Sequence, residues 1–215
     1  MSRARDNPFA TSRVLEIRYQ FRTGNDEGWR TLLSRLESLR YRAAIVGPHG
    51  TGKTTLLEDL GLRLIKRGFR IHSVFLNRQS RVYPIDFIHR TRGDLSSRDV
   101  ILLDGCEQLG LHNWWRFRWQ TRSAGGLIVT THRAGRLPVL WRCQTNPELL
   151  SDLIGRLLGH SSVADRIEAQ SAVRLFDFEG DDARRLFESH RGNLRDALRE
   201  LYDRAAQARE DRTLS

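Results

Sequence analysis

Gly47-Pro48-His49-Gly50-Thr51-Gly52-Lys53-Thr54 fits the pattern G-x-x-x-x-G-K-[ST] throughout, and what flanks it decides the fold. Before it stands the short apolar run Ala43-Ala44-Ile45-Val46, which reads as a buried strand ended by Gly47. After it, Leu57, Leu60 and Leu64 recur at helical spacing over about Lys53 to Arg67, and Gly68 stops that helix. A glycine-rich loop between a buried strand and a helix can turn its backbone N–H groups onto phosphate oxygens. The start of the helix adds its positive end at the same place. Lys53 then supplies an ammonium for the β- and γ-phosphates of a nucleotide. The Thr54 hydroxyl suits Mg²⁺, and Thr55 completes the residues assigned to the cradle.

Working outward, a helix is expected over Asp26 to Leu39, from Leu32, Leu33, Leu36 and Leu39. A strand follows the loop helix at Phe69 to Leu76, then a long polar connection containing Arg78–Asp99. Val100-Ile101-Leu102-Leu103 is a continuous apolar run, as in a strand covered on both faces. A helix around Leu111–Arg122 leads to the strand Gly126–Thr131, and a further strand is expected over Leu137–Arg142. Thr145-x-x-Glu148 reads as a capping box opening a helix through Leu158, with Pro147 in its first turn. Beyond it, Leu194, Ala197, Leu198, Leu201, Tyr202 and Ala205 lie on one helical face. The fold class is therefore α/β, a parallel sheet with helices on both faces and a short C-terminal helical lid. The expected divisions are an N-terminal arm over residues 1–24, a core over 25–160 and the lid over 161–215.

Composition narrows the rest. The chain has 215 residues, 39% of them apolar, with charged residues of both signs interspersed, so a core can be buried and global disorder is excluded. No apolar run approaches a membrane span, and two cysteines, Cys106 and Cys143, are too few for a disulfide framework. The chain reads as cytoplasmic, with no membrane partner. Lys+Arg number 36 against 26 Asp+Glu, a net +10 that suits polyanions. Of those 36, 34 are arginines, a skew that arginine-biased coding produces without any functional cause. Only Lys53 and Lys66 are lysines. One of the two stands where a phosphate site needs a compact point charge.

These residues resemble the P-loop NTPases, with Gly47–Thr54 as their Walker A motif. Val100-Ile101-Leu102-Leu103-Asp104 is similar to Walker B, so the resemblance implies that Asp104 holds Mg²⁺ through water. GTPases of the family carry N-K-x-D, and neither lysine lies in one, so ATP is the implied nucleotide. One strand between the two Walker strands and another after them resemble the additional-strand division, which includes AAA+ and signal-transduction ATPases. That division inserts the later strand between the Walker strands and ends it in a polar sensor. Thr131 is the implied sensor, with Thr130 in reserve, although β-branched threonines also simply favour strands. Many AAA+ proteins place glutamate directly after the Walker B aspartate. Here Asp104-Gly105-Cys106-Glu107 is similar instead to the D-G-x-[DE] of signal-transduction ATPases. Glu107 either orients the water that attacks the γ-phosphate or caps the helix that follows.

His190-Arg191-Gly192-Asn193-Leu194-Arg195 resembles the sensor-2 helix of the AAA+ lid, which would set Arg195 toward the γ-phosphate. Arg133, Arg136 and Arg142 are the arginines to consider for a finger acting on a neighbouring copy. His49 belongs to the phosphate cradle, its side chain open to phosphate or a partner; His132 after the strand is left without an assigned role, and Cys106 reads as a buried filler. Three of the five tryptophans fall in Asn113-Trp114-Trp115-Arg116-Phe117-Arg118-Trp119. Leu111, Trp114, Trp115 and Trp119 make one stripe that also holds Arg118 and Arg122. Such a stripe suits bases and phosphates, or a helix packed on the sheet with its arginines stacked on indoles. The implied function is an ATP-binding, Mg²⁺-dependent ATPase or nucleotide-driven switch, with ATP/ADP and a protein partner or homo-oligomer as partners. A small-molecule phosphotransferase with an arginine lid from Arg78–Arg98, and a nucleic-acid-directed ATPase, are the alternatives.

Overall fold

The computed structural model describes residues 26–76, 84–91, 93–159 and 181–213. The expected N-terminal arm and residues 161–180 of the expected lid lie outside them. The described chain runs α1 (Asp26–Ser38), β1 (Arg42–Val46), α2 (Lys53–Lys66), β2 (Arg70–Phe75), α3 (Ile85–Thr91) and β3 (Asp99–Asp104). It continues through α4 (Leu111–Gln120), β4 (Gly126–Thr131), β5 (Val139–Arg142), α5 (Pro147–Gly159), α6 (Asp181–Ser189) and α7 (Leu194–Thr213). It divides into two compact units. One comprises the sheet and its helices up to Cys143; the other comprises His49–Thr51 and the residues from Gln144 onward.

In the first unit, the five strands pair in parallel in the order β2-β3-β4-β1-β5. β4 therefore sits between β1 and β3, the strands on either side of it in the expected insertion. Burial follows position. β3 is buried from Asp99 to Leu103 and all six residues of β4 are buried, whereas the edge strands β2 and β5 are largely accessible. Continuous apolar runs such as Val100–Leu103 arise because helices cover both faces of a central parallel strand. Ala44, Val46, Ile101, Leu103, Leu127 and Val129 share one core with Trp114 and Phe117 of α4.

α3 lies within what reads as polar connection. Among its described side chains Ile88 anchors it in the core, with Phe87 packed alongside, and so short a helix shows no apolar period. The aromatic stripe of α4 also divides. Trp114 and Phe117 are buried, but Leu111, Trp115 and Trp119 are 72%, 61% and 65% exposed. Phe117 lies three residues from Trp114 and seats that side on the sheet, which rotates Trp115 and Trp119 outward at ~100° per residue.

At the other end of the sheet from the glycine-rich loop, Asp99 on β3 is buried and fully engaged. Arg70 donates from Nε to Oδ1 at 2.9 Å and from Nη2 to Oδ2 at 2.7 Å. His72 Nε2 lies 2.8 Å from Oδ1, and the Ser96 backbone N–H and hydroxyl both donate to Oδ2 at 2.7 Å. Burial alone would raise the carboxyl pKa, but the bonds from Arg70, His72 and Ser96 outweigh it and hold it well below the usual range. A depressed folded value stabilises the protein above the unfolded value near pH ~3.9, and the contribution fades as pH falls through the folded one. Asp99→Ala is expected to cost about 2–3 kcal/mol at neutral pH, since several charge-assisted bonds go at once. Urea midpoints taken between neutral pH and pH ~3 check this, and the variant's loss should shrink at the acid end. A variant as stable as the parent at neutral pH would show the network to be neutral.

The second unit holds α5, α6 and α7. The α5 face of Leu149, Leu150, Ile154 and Leu157 packs with Leu186 of α6 and Leu194, Ala197, Leu198 and Leu201 of α7. The capping expectation changes. Asn146 Oδ1 accepts from the Leu149 N–H at 2.9 Å, while the Thr145 hydroxyl donates to the Gly192 carbonyl at 2.8 Å. Pro147 does open the helix, where its missing N–H costs nothing. Among the described residues no helix is long and apolar enough to cross a membrane.

Candidate functional site

The C-terminal ends of β1, β3 and β4 lie side by side, because Val46 pairs with Thr131 and Leu103 with Val129. The glycine-rich loop leaves β1 at that edge. The buried Gly47 donates its N–H to the Thr131 carbonyl at 3.2 Å, and Pro48 follows exposed. Gly52 has φ +79° and precedes the first residue of α2, a left-handed conformation that side chains resist. No side chain caps this helix start, and the first N–H groups of a helix have no carbonyl partner within it. Lys53 is buried, and its Nζ donates to the Pro48 carbonyl at 2.5 Å. Thr54 and Thr55 are half-buried on the first turn of α2.

Thr54 and Asp104, the two residues expected beside Mg²⁺, are in contact. The Thr54 hydroxyl donates to Asp104 Oδ2 at 2.8 Å across a sequence separation of 50 residues. Oδ1 of the same carboxylate accepts from the Thr130 hydroxyl, which also accepts the Gly105 N–H at 2.9 Å. Thr130 thus touches Asp104. Thr131, one residue on and facing the other way, donates to the Arg133 carbonyl at 3.2 Å. The pairing was not legible from sequence, because either threonine fits a strand end. Strand register supplies the missing information, since Asp104 lies one step beyond Leu103 as Thr130 lies one beyond Val129.

Gly105 has φ +80°, and a Cβ there would meet the Leu76 carbonyl oxygen at 2.2 Å. It makes the sharp exit that carries Glu107 onto a single 3-10 turn, Cys106–Gln108. His132 Nε2, just past the end of β4, lies 3.1 Å from Glu107 Oε1. Glu107 Oε2 is buried and has no hydrogen-bond partner among the described residues. α4 begins after Gly110 without a side-chain cap, so Glu107 is not the helix cap that its spacing also allowed. His132 is the residue that sequence reasoning left without a role.

Around this edge, burial pushes the Cys106 thiol up to about 12, against the opposing charge of Arg136. Burial likewise pushes the Cys143 thiol up to about 11, against that of Lys53. Neither is a nucleophile at neutral pH. Arg136 donates from Nη2 to the Leu109 carbonyl at 2.5 Å and lies 5.3 Å above the Trp114 ring, so it is engaged inside its own unit. Arg133 and Arg142 are exposed.

The second unit holds the loop tip, with His49 exposed and Thr51 buried. Gly50 abuts Asn193, whose Oδ1 stands where a glycine Cβ would project. Asn193 Oδ1 also accepts from the Arg195 N–H at 3.1 Å, which leaves Arg195 exposed on the first turn of α7.

The residues present fit a phosphate chain with Mg²⁺. Helix-start donors, a buried ammonium and a hydroxyl–carboxylate pair meet at one edge. No cluster of three His, Cys, Asp or Glu side chains among the described residues would hold a metal alone. A Mg²⁺ ion with few protein ligands and several from phosphate and water matches that set.

No protein-family model matches the sequence, and no curated protein matches it. Among solved structures the chain is similar to two variants of RuvB from Thermotoga maritima. One aligns at 20% identity with a TM-score of 0.51, the other at 19% with 0.50. Each alignment covers 86% of this chain and 69% of the RuvB chain. With β4 inserted between β1 and β3 and the glycine-rich loop leaving β1, the chain has the fold of an AAA+-type P-loop ATPase.

Proposed function

We propose that the protein binds Mg-ATP at Gly47–Thr55 and hydrolyses it to ADP and inorganic phosphate. The observation that carries this reading is the Thr54–Asp104 hydrogen bond, which brings the hydroxyl and carboxylate required beside a nucleotide-bound Mg²⁺ to the mouth of the loop. Mg²⁺, when bound, neutralises charge on the phosphate oxygens. The chain's own residues do the rest. Backbone N–H groups of the loop and the start of α2 bind the phosphates, and the Lys53 ammonium leaves the Pro48 carbonyl for a phosphate oxygen. Thr130 orients the Asp104 carboxylate.

In this reading Glu107 holds and deprotonates the attacking water. The new bond joins the water oxygen to the γ-phosphorus, the bond to the β-phosphate oxygen breaks, and the proton goes to a Glu107 carboxylate oxygen. His132 engages Oε1 of that group and leaves Oε2 without a protein partner, which supports this role. Resemblance assigns Thr131 and Arg195 to sensing and the helices within 161–215 to a lid.

Calorimetric titration with ATP, with and without Mg²⁺, tests the reading. The parent should bind more tightly with Mg²⁺. Asp104→Asn should lose most of that gain while keeping metal-free affinity within about threefold. Failure of the parent to bind ATP would overturn the proposal.

A further inference from the structure

The outward face of α4 has no part in the ATP site, yet it is built unlike an ordinary solvated helix face. Trp115 and Trp119 are separated by one helical turn, about 6 Å of rise, and both are mostly exposed. Leu111, at 72% exposure, extends the same stripe. Scattered single apolar residues at a surface need no explanation, but two indoles and a leucine aligned on one turn-spaced row do. Tryptophan is costly to leave in water, and the helix has an alternative: it already seats Trp114 and Phe117 in the core.

Arginines lie among these rings. Arg118 places its guanidinium carbon 5.1 Å from the Trp115 ring centroid, and Arg122 places its own 4.4 Å from that of Trp119. At ~100° per residue, Arg122 projects between Leu111 and Trp119, and Arg118 projects about 20° to the other side of Leu111, so charge and ring share one surface. Residues 111–122 contain three arginines and no acid. Arg42 adds to the field: it donates to the Arg122 and Ala124 carbonyls, at 3.1 and 2.8 Å. Burial first, and then the positive charge of Arg118, lowers its pKa, which marks a cluster of like charges.

We propose that the outward face of α4 binds single-stranded nucleic acid, with Trp115 and Trp119 stacking on bases and Arg118 and Arg122 contacting phosphates. The chemistry selects this partner in three steps. A second copy meeting the same face would bring Arg118 and Arg122 of both chains together without an acid on either helix to offset them. An acidic protein surface would satisfy the guanidinium groups but offers no flat faces to the indoles. A duplex satisfies phosphate contacts but keeps its bases stacked on one another. An unpaired strand supplies anions and exposed π-faces in alternation, and the chain's net charge of +10 favours its approach.

The test is fluorescence anisotropy of a labelled oligothymidylate of roughly 20 nucleotides, titrated with the full chain at salt concentrations from about 50 to 200 mM. No nucleotide triphosphate is added, so the outcome does not depend on the ATP site. The parent should bind, with quenching of tryptophan emission, and should weaken as salt rises. Trp115→Ala with Trp119→Ala should weaken binding at least about tenfold while leaving the salt slope intact. Arg118→Ala with Arg122→Ala should weaken it and flatten the slope by about 1.4, the value for two phosphates of a single strand. Leu62→Ala with Ile65→Ala, exposed apolar positions on α2, should change nothing.

Because Trp115 and Trp119 are exposed, their removal leaves the core intact, and unchanged melting verifies it. Four results would each overturn the proposal: no binding by the parent at the lowest salt, full binding by the tryptophan variant, displacement of the strand by polyglutamate as readily as by unlabelled oligonucleotide, or a parent dimer in sedimentation that the tryptophan variant loses.

Discussion

Lys53→Ala is expected to abolish nearly all of the thermal stabilisation that Mg-ATP gives the parent. A ligand that binds only the folded state stabilises it by RT ln(1 + [L]/Kd), about 2.7 kcal/mol at a hundredfold excess over Kd. The ammonium is buried beside the loop, with its Nζ at 2.5 Å from the Pro48 carbonyl. In the proposed complex it exchanges that neutral acceptor for a phosphate oxygen. Charge-assisted bonds in a site shielded from water are about twice as strong as neutral ones, so the exchange favours the bound state. Losing it is expected to weaken ATP by about two orders of magnitude, close to 3 kcal/mol. Arginine is no remedy, since its planar fork does not fit a space shaped for a compact head group. Calorimetry on both chains, with melting measured with and without ligand, separates lost affinity from altered stability of the free protein. Equal affinities in the two chains would end the nucleotide reading.

The parts of this architecture legible in the sequence are those that local chemistry fixes. A glycine-rich loop with a lysine needs a strand behind it and a helix ahead, and Ala43–Val46 and Leu57–Leu64 announce both. The sheet order follows from the resemblance that these residues carry, and the structure has β4 where that resemblance puts it. What escaped reading depends on partners distant in sequence. Thr130 and Thr131 are chemically equivalent candidates until the register of β3 against β4 aligns one of them with Asp104. Thr145 and Asn146 both suit a helix cap, and the Gly192 carbonyl, 47 residues away, claims the first. The aromatic helix misled for a related reason. Trp114 and Trp115 are neighbours that project ~100° apart, and only the packing of Phe117 determines which of them enters the core.

Glu107→Gln is expected to slow ATP turnover by ~10²-fold or more while ATP remains bound, the effect of removing a general base. The substitution is nearly isosteric, so His132 keeps a partner at Oε1 and the 3-10 turn keeps its shape. What changes is Oε2, the buried oxygen left without a bond. A carboxylate in that state is destabilised, since an unsatisfied buried acceptor costs roughly 1–3 kcal/mol. A water held there would relieve the cost and would also be the proton donor that the reaction needs. An amide replaces that acceptor with a donor, which cannot take the proton. Turnover and binding must be measured on the same variant, because a general base affects the first and spares the second. A fall in both together would make Glu107 a residue of the fold. Unchanged turnover would separate the 3-10 turn from the chemistry altogether. Gly105→Ala is the companion measurement, since the Leu76 carbonyl lies where the added methyl must go and Glu107 would be displaced with its carboxylate intact. If position and not charge alone governs the step, that variant should also lose turnover.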